Sequence, residues 1–130
     1  MKLEDFEVGT ELTKAEITFT EDYVNCYTLA VGDKSLLYVG SSAKVPPLAA
    51  VAWLLKDLLQ QLELPPGTVH SSQEIECTNT LPVGNKAVCC VCVDQNTARG
   101  QWRFLTLRFT IGENENSSIQ GKIGLLIPRE

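Results

Sequence analysis

The residues best suited to acid–base chemistry lie in one short segment, VGDKSLLYVG, which covers residues 31–40. Asp33 offers a carboxylate, Ser35 a hydroxyl and Tyr38 a phenol, and each group is able to hydrogen-bond a substrate or a water. At neutral pH a phenol, with an unperturbed pKa near ~10, is a poor base and a better hydrogen-bond donor or acid. From the residues alone, an acidic residue that follows Gly32 more often caps a turn than takes part in a reaction.

One histidine and five cysteines are the other potentially reactive side chains. Histidine is the residue type whose side chain most readily exchanges a proton near neutrality, and His70 is the single histidine of the chain, although histidines in strands more often make structural hydrogen bonds. Cys89, Cys90 and Cys92 crowd into one apolar segment without the two-residue gap of metal-binding or redox pairs. We therefore predict buried thiols in a strand and no metal site, and a soft-metal site through Cys90 and Cys92 is the weaker alternative.

Composition indicates one globular domain that spans residues 1–130. The chain has 44% hydrophobic and 21% charged residues and a net charge of −5. Nucleic-acid binding depends on clustered Lys and Arg, so this charge argues against a nucleic-acid partner. The first residues, MKLEDFEVGTEL, lack the basic and apolar regions of a signal peptide. We therefore expect a cytoplasmic protein without a membrane segment.

Two helices are predicted in the first half of the chain. Thr20 is a suitable N-cap for an amphipathic helix over residues 21–31 that ends at Gly32. A long loop follows over residues 32–45, with one helical turn expected around residues 41–44, and loops of this length are often functional. A second helix, over residues 47–62, is apolar on nearly every side but too short to cross a bilayer. It should be the central buried helix.

Strand patterns account for most of the remaining chain, and the acidic run at residues 113–116 is typical of a solvated hairpin turn. The predicted strands are 11–20, 68–81, 86–94, 101–111 and 119–127. A curved antiparallel sheet wrapped around one apolar helix satisfies this order of elements. The predicted fold is therefore α+β, of the hot-dog type. Because its exposed sheet edge needs protection, a dimer is expected.

Several segments together resemble the MaoC-like hydratase/dehydratase group of hot-dog proteins, which includes the (R)-specific enoyl-CoA hydratases. They are FEVGTEL, TFTEDYVNCYTLAVGD, VPPLAA and PPGTVHSSQEIECTNTLPVGN. Active members carry Gly-Asp-x-Asn-Pro-x-His after the first helix. Here Gly32 and Asp33 match, Ser35 replaces the Asn, and Tyr38 stands where the family has its His.

The resemblance implies a role for each matched residue. Asp33 and Tyr38 are the expected catalytic pair, and Gly32 and Ser35 contribute to binding. The family's oxyanion hole is formed by amides at the start of the central helix, which here begins with two prolines. Since proline has no N–H, the donor would be Leu48 or Ala49. His70 resembles a recurrent histidine of the family's divergent branch and is a further candidate for substrate binding.

The resemblance further implies a protein of fatty acid metabolism that binds acyl thioesters of coenzyme A or an acyl carrier, without a cofactor. The expected reaction is reversible hydration of 2-enoyl thioesters. Because the family's His is missing, two alternatives stay open. One is a non-catalytic subunit of a heterodimeric hydratase/dehydratase, and the other is a thioesterase-like hot-dog protein. A homodimer and a heterodimer with a second hot-dog chain are both compatible with this resemblance.

Overall fold

Five strands and two α-helices are found in the computed structural model, which describes residues 2–113 and 117–129. The helices are α1 (Glu21–Val31) and α2 (Pro47–Leu62). The strands are β1 (Glu11–Thr18), β2 (Val69–Cys77), β3 (Lys86–Arg99), β4 (Trp102–Gly112) and β5 (Ile119–Pro128). Short 3-10 turns lie at Leu3–Asp5 and Leu36–Tyr38. No helix of this described part is both long and apolar enough to span a membrane.

The strands form one antiparallel sheet in the order β1-β3-β4-β5-β2. Alternate residues of β3 and β4 are fully buried on one face, where they form a single apolar core with α2. α2 contributes five fully buried side chains to that core: Ala49, Ala50, Val51, Leu54 and Leu58. The predicted α+β hot-dog fold, with an antiparallel sheet around a central helix, is confirmed.

Local sequence signals fix both helices at their predicted bounds. Thr20 Oγ1 accepts a hydrogen bond from Tyr23 N–H at 3.1 Å and so caps α1. Gly32 follows α1 with φ +71°, a left-handed conformation that glycine adopts without strain. α2 starts with Pro47 at its first position, where a missing N–H has no cost.

The loop between the helices differs from its predicted form. Its helical turn lies at Leu36–Tyr38 and not at residues 41–44, because Ser35 Oγ accepts the Leu37 N–H at 3.3 Å and starts the turn there. Lys44 instead makes an isolated bridge to Pro82, and its N–H donates to Leu37 O at 2.8 Å. The loop is therefore tied at both ends.

Three strand ends lie more than one residue from their predicted positions. β1 ends at Thr18 and not at residue 20, because Thr20 serves as the cap of α1. β2 ends at Cys77 because the next two amides donate to Ser118 O. β3 continues past a bulge near Asp94 and ends at Arg99, since the turn to β4 is tighter than predicted. Most of the predicted turn at residues 113–116 lies outside the described residues.

The cysteines only partly match their prediction. Cys89 is fully buried on the core side of β3, whereas Cys90 and Cys92 are half-buried. Burial raises the pKa of the Cys89 thiol to about 12, with smaller contributions from Cys90 and Asp57. Cys89 is therefore a protonated core side chain at neutral pH. In residues 2–113 and 117–129, no three His, Cys, Asp or Glu side chains group as metal ligands.

Candidate functional site

A cleft of about 350 Å³ opens between α1, the loop after it, the start of α2 and the end of the edge strand β2. Three of the predicted site residues line it: Asp33, Tyr38 and Leu48. Its other lining residues are Tyr27, Pro46, Pro47, Ile75 and Cys77. The cleft thus brings a carboxylate and a phenol beside the start of the central helix, within a mostly apolar wall.

Asp33 is placed by the way α1 ends. Gly32 N–H donates to Leu29 O at 3.3 Å and Asp33 N–H donates to Thr28 O at 2.9 Å, which is a Schellman motif. The Asp33 carboxylate then accepts the Ser35 N–H at 2.9 Å through Oδ1. This is the turn-capping role expected from the residues alone. No described residue donates a hydrogen bond to Oδ2, so half of this exposed carboxylate is open to a ligand.

Ser35 and Tyr38 lie at the start and the end of the 3-10 turn that follows Asp33. Ser35 caps the 3-10 turn at Leu36–Tyr38, as described above, and its hydroxyl is therefore occupied by the local backbone. The turn directs Tyr38 toward the core, where the ring is half-buried, while Leu36 is 85% exposed. Tyr38 and Asp33 consequently face one cleft from two ends of the same short segment.

Among the described residues at the start of α2, the amide of Leu48 is the one without a hydrogen-bond acceptor. Pro46 and Pro47 have no N–H, and Ala49 N–H already donates to Pro46 O at 2.9 Å. Ala49 is also fully buried, so it is no candidate donor for a ligand. Leu48 N–H meets no acceptor among the described residues, and Leu48 lines the cleft. Of the two amides predicted as oxyanion donors, only that of Leu48 is available.

Tyr23 ties α1 to this helix start. Its hydroxyl donates to Ala49 O at 2.8 Å, and its ring lies 5.9 Å from the fully buried ring of Phe19. Burial raises the pKa of Tyr23 above its usual value, with a smaller contribution from the neighbouring Tyr27. The sequence carries no signal for this bond beyond the helical spacing of Tyr23, because its partner lies 26 residues away.

His70 is not brought to the cleft. It is exposed near the start of β2, where it pairs with Leu125 beside a bulge. β2 reaches the cleft only with Ile75 and Cys77. Five residues of strand, about 16 Å at roughly 3.3 Å per residue, separate His70 from Ile75.

Sequence reasoning missed three lining residues: Tyr27, Ile75 and Cys77. In the sequence, the helical spacing of Tyr27 indicates only the apolar face of α1. Ile75 and Cys77 reach the loop because β2 pairs with the last strand and forms the edge of the sheet. That strand order joins segments far apart in the chain, and no local pattern encodes it.

Comparison with known proteins places the fold. No protein-family model and no curated protein matches the sequence. A solved monoamine oxidase regulatory protein from Archaeoglobus fulgius matches 100% of this chain and 95% of its own, with a TM-score of 0.83 and 10% identity. An (R)-hydratase from A. caviae involved in PHA biosynthesis matches 95% of this chain and 98% of its own, with a TM-score of 0.79 and 18% identity.

A third match is a complex. It is the HadBC (3R-hydroxyacyl-ACP dehydratase) complex from Mycobacterium tuberculosis. The match covers 92% of this chain and 96% of the matched chain, with a TM-score of 0.72 and 10% identity. At these identities the likeness shows the fold alone. The predicted resemblance is thus confirmed in structure, and the chain has the hot-dog fold shared by (R)-hydratases and MaoC-like dehydratases.

Proposed function

We propose that the cleft binds an acyl thioester of coenzyme A or of an acyl carrier. The observation that carries this proposal is that Leu48 and Asp33 line the same cleft, and that among the described residues the Leu48 N–H has no acceptor and Asp33 Oδ2 has no donor. An amide at a helix start stabilises negative charge on a carbonyl oxygen. The apolar side chains of Leu48 and Ile75 suit the acyl part, and the hot-dog fold of hydratases and dehydratases supports the same assignment.

The reaction we propose is reversible hydration of a 2-enoyl thioester. Leu48 N–H holds the thioester oxygen as charge develops on it, and Asp33 takes a proton from water as water adds to the double bond. The Tyr38 hydroxyl delivers a proton to the α-carbon, and the proton taken up by Asp33 then replaces it. No cofactor enters this scheme. With Tyr38 where the related enzymes carry His, we expect slower turnover than with an Asp and His pair.

A second candidate function is a non-catalytic subunit that binds thioester and completes a dehydratase with another hot-dog chain. β2 lies at the sheet edge with eight of its nine residues exposed, and Leu36, Leu37 and Leu48 are exposed around the adjacent cleft. An open edge beside exposed apolar side chains suits a second chain that pairs along β2. The fold match to a dehydratase complex agrees with a partner of this kind.

One experiment separates these functions. The purified chain is assayed with 2-enoyl-CoA thioesters for hydration and with saturated acyl-CoA thioesters for hydrolysis, and its oligomeric state is measured by sedimentation. The matched variant is Asp33→Asn, because the asparagine Oδ1 still accepts the Ser35 N–H and preserves the turn. We expect hydration that drops by at least about 100-fold in this variant.

The other outcomes identify the alternatives. Hydration that Asp33→Asn leaves unchanged would rule out Asp33 as the acid–base residue. Thioester binding without turnover, with activity only after addition of a second hot-dog chain, supports the subunit function. Hydrolysis of saturated thioesters supports a thioesterase. In the enzyme assignment, Tyr38→His restores the family's pair and should raise hydration above that of the natural chain.

A further inference from the structure

We infer that Tyr23, which does not line the cleft, is the positioning residue for the Leu48 amide. This inference rests on the proposed function, in which that amide holds the thioester oxygen. Tyr23 acts through the carbonyl of Ala49, the residue that directly follows Leu48, to which its hydroxyl donates at 2.8 Å.

The bond from Tyr23 matters at the start of α2 because no side chain caps the first turn of this helix. Pro46 provides no side-chain cap, and the first two available amides after Leu48, those of Ala49 and Ala50, both donate to Pro46 O, at 2.9 and 3.3 Å. Before the helix, Val45 N–H donates to Leu81 O at 2.7 Å and fixes the entering chain. The bond from Tyr23 is then the side-chain hydrogen bond that holds the turn after the prolines.

The surroundings keep the Tyr23 hydroxyl in this role. Phe19 contacts the Tyr23 ring on one side and meets Trp53 of α2 edge-on, with centroids 6.1 Å apart. These aromatic contacts orient the ring, and the raised pKa of the partly buried phenol keeps it protonated as a donor. Removing the hydroxyl while leaving the ring should therefore release the helix start and preserve the packing between the helices.

The test compares Tyr23→Phe with Val24→Ala. Val24 is the fully buried neighbour of Tyr23 on α1, so its truncation weakens the packing of the same helix and leaves the hydroxyl in place. Binding of butyryl-CoA and of S-butyl-CoA, a thioether without the carbonyl oxygen, is measured by calorimetry. The ¹H–¹⁵N spectra and ¹⁵N relaxation of the amides of Leu48, Ala49 and Ala50 are recorded for each unliganded protein.

We expect Tyr23→Phe to bind butyryl-CoA about 3- to 10-fold more weakly, the loss of roughly one hydrogen bond, with binding of S-butyl-CoA unchanged. Its Leu48 amide should shift and become more mobile, and Val24→Ala should show neither change. If the two variants behave alike, or if Leu48 keeps its shift and order in Tyr23→Phe, the inference is wrong. If the natural chain binds neither compound, the proposed function fails, and the Leu48 spectra alone decide whether Tyr23 positions the amide.

Discussion

The two helices of this protein are held in opposite ways. α1 buries one side chain completely, Val24, yet both of its ends are closed, by Thr20 at the start and by the turn at Gly32. α2 buries five side chains completely and has no side-chain cap at its start. α1 thus depends on its caps, whereas α2 depends on burial.

This difference explains where the candidate chemistry lies. A helix that is anchored by its buried face does not need every terminal amide satisfied, so α2 is able to keep the Leu48 N–H free at the cleft. A helix with little burial needs a closed end, and the closing turn of α1 gives Asp33 its fixed backbone position. One helix therefore contributes an open donor and the other a fixed carboxylate.

The largest effect should come from removing burial under α2. Leu54 is fully buried, so Leu54→Ala loses its apolar contacts and leaves a cavity, and we expect a loss of about 2–5 kcal/mol in unfolding free energy. Chemical denaturation measures it. Leu59→Ala is the control on the same helix, since Leu59 is 48% exposed and should cost far less. Equal losses in the two variants would contradict the view that burial holds α2.

The second prediction uses alkaline pH to test the core under α2. The pKa of the Cys89 thiol rises to about 12 in the folded protein from 9.0, so the unfolded chain ionises first as pH rises. Cys89 therefore supports stability fully below pH 9.0 and loses that contribution as the pH rises toward 12. The loss approaches ~1.4 kcal/mol per pH unit for one thiol.

Denaturation at several pH values from neutral to alkaline checks this dependence. Cys89→Ala removes the thiol and should flatten the alkaline decline relative to the natural chain. Cys26→Ala is the control, since Cys26 is an exposed thiol on α1. A decline equally steep in Cys89→Ala would mean that other groups govern alkaline stability.

Local sequence signals predicted the bounds of both helices. Thr20 caps the start of α1, Gly32 closes its end, and the paired prolines suit the first turn of α2. The order of elements then predicted the hot-dog fold. The turn at Leu36–Tyr38 was misplaced because Ser35 Oγ accepts the Leu37 N–H and Lys44 N–H donates to Leu37 O. Lys44 is itself held by a bridge to Pro82, which lies far along the chain.

The candidate site was only half predictable. Asp33, Tyr38 and Leu48 were found through a motif and a helix start. The loss of Ala49 as a donor and the bond from Tyr23 depend on three-dimensional placement. The contribution of β2 depends on strand order, which no short pattern contains, and the same order leaves His70 away from the cleft.

The third prediction removes the cap of α1. Thr20→Ala leaves the Tyr23 N–H without its acceptor, and we expect a loss of about 1 kcal/mol in unfolding free energy. Thr20→Ser retains a hydroxyl and should keep most of that stability. Thermal unfolding compares the three proteins. If Thr20→Ala unfolds at the same temperature as the natural chain, α1 does not depend on its cap, and the contrast between the helices is lost.

The smallest change in stability, and the most informative for function, comes from giving α2 a cap like that of α1. In Pro46→Ser the hydroxyl is placed to accept the N–H of Leu48 or Ala49. Pro46 is buried, so the variant loses the burial of the ring as well as the proline's restriction on the unfolded chain, and with the gain from the cap we expect a net change of about 1 kcal/mol. Pro66→Ser is the control for the lost restriction of the unfolded chain, since Pro66, unlike Pro46, is exposed and does not line the cleft.

Binding measurements on Pro46→Ser then test whether the uncapped start of α2 contacts a ligand. If the Leu48 N–H holds a thioester oxygen, Pro46→Ser should bind butyryl-CoA several-fold more weakly, because the new hydroxyl competes for the same N–H. Binding of S-butyl-CoA should be unaffected, and Pro66→Ser should match the natural chain in both titrations. A Pro46→Ser protein that is folded, capped by NMR criteria and unchanged toward butyryl-CoA would show that the free amide of α2 is not the donor for the thioester. The difference between the two helix starts would then be a consequence of packing and not of function.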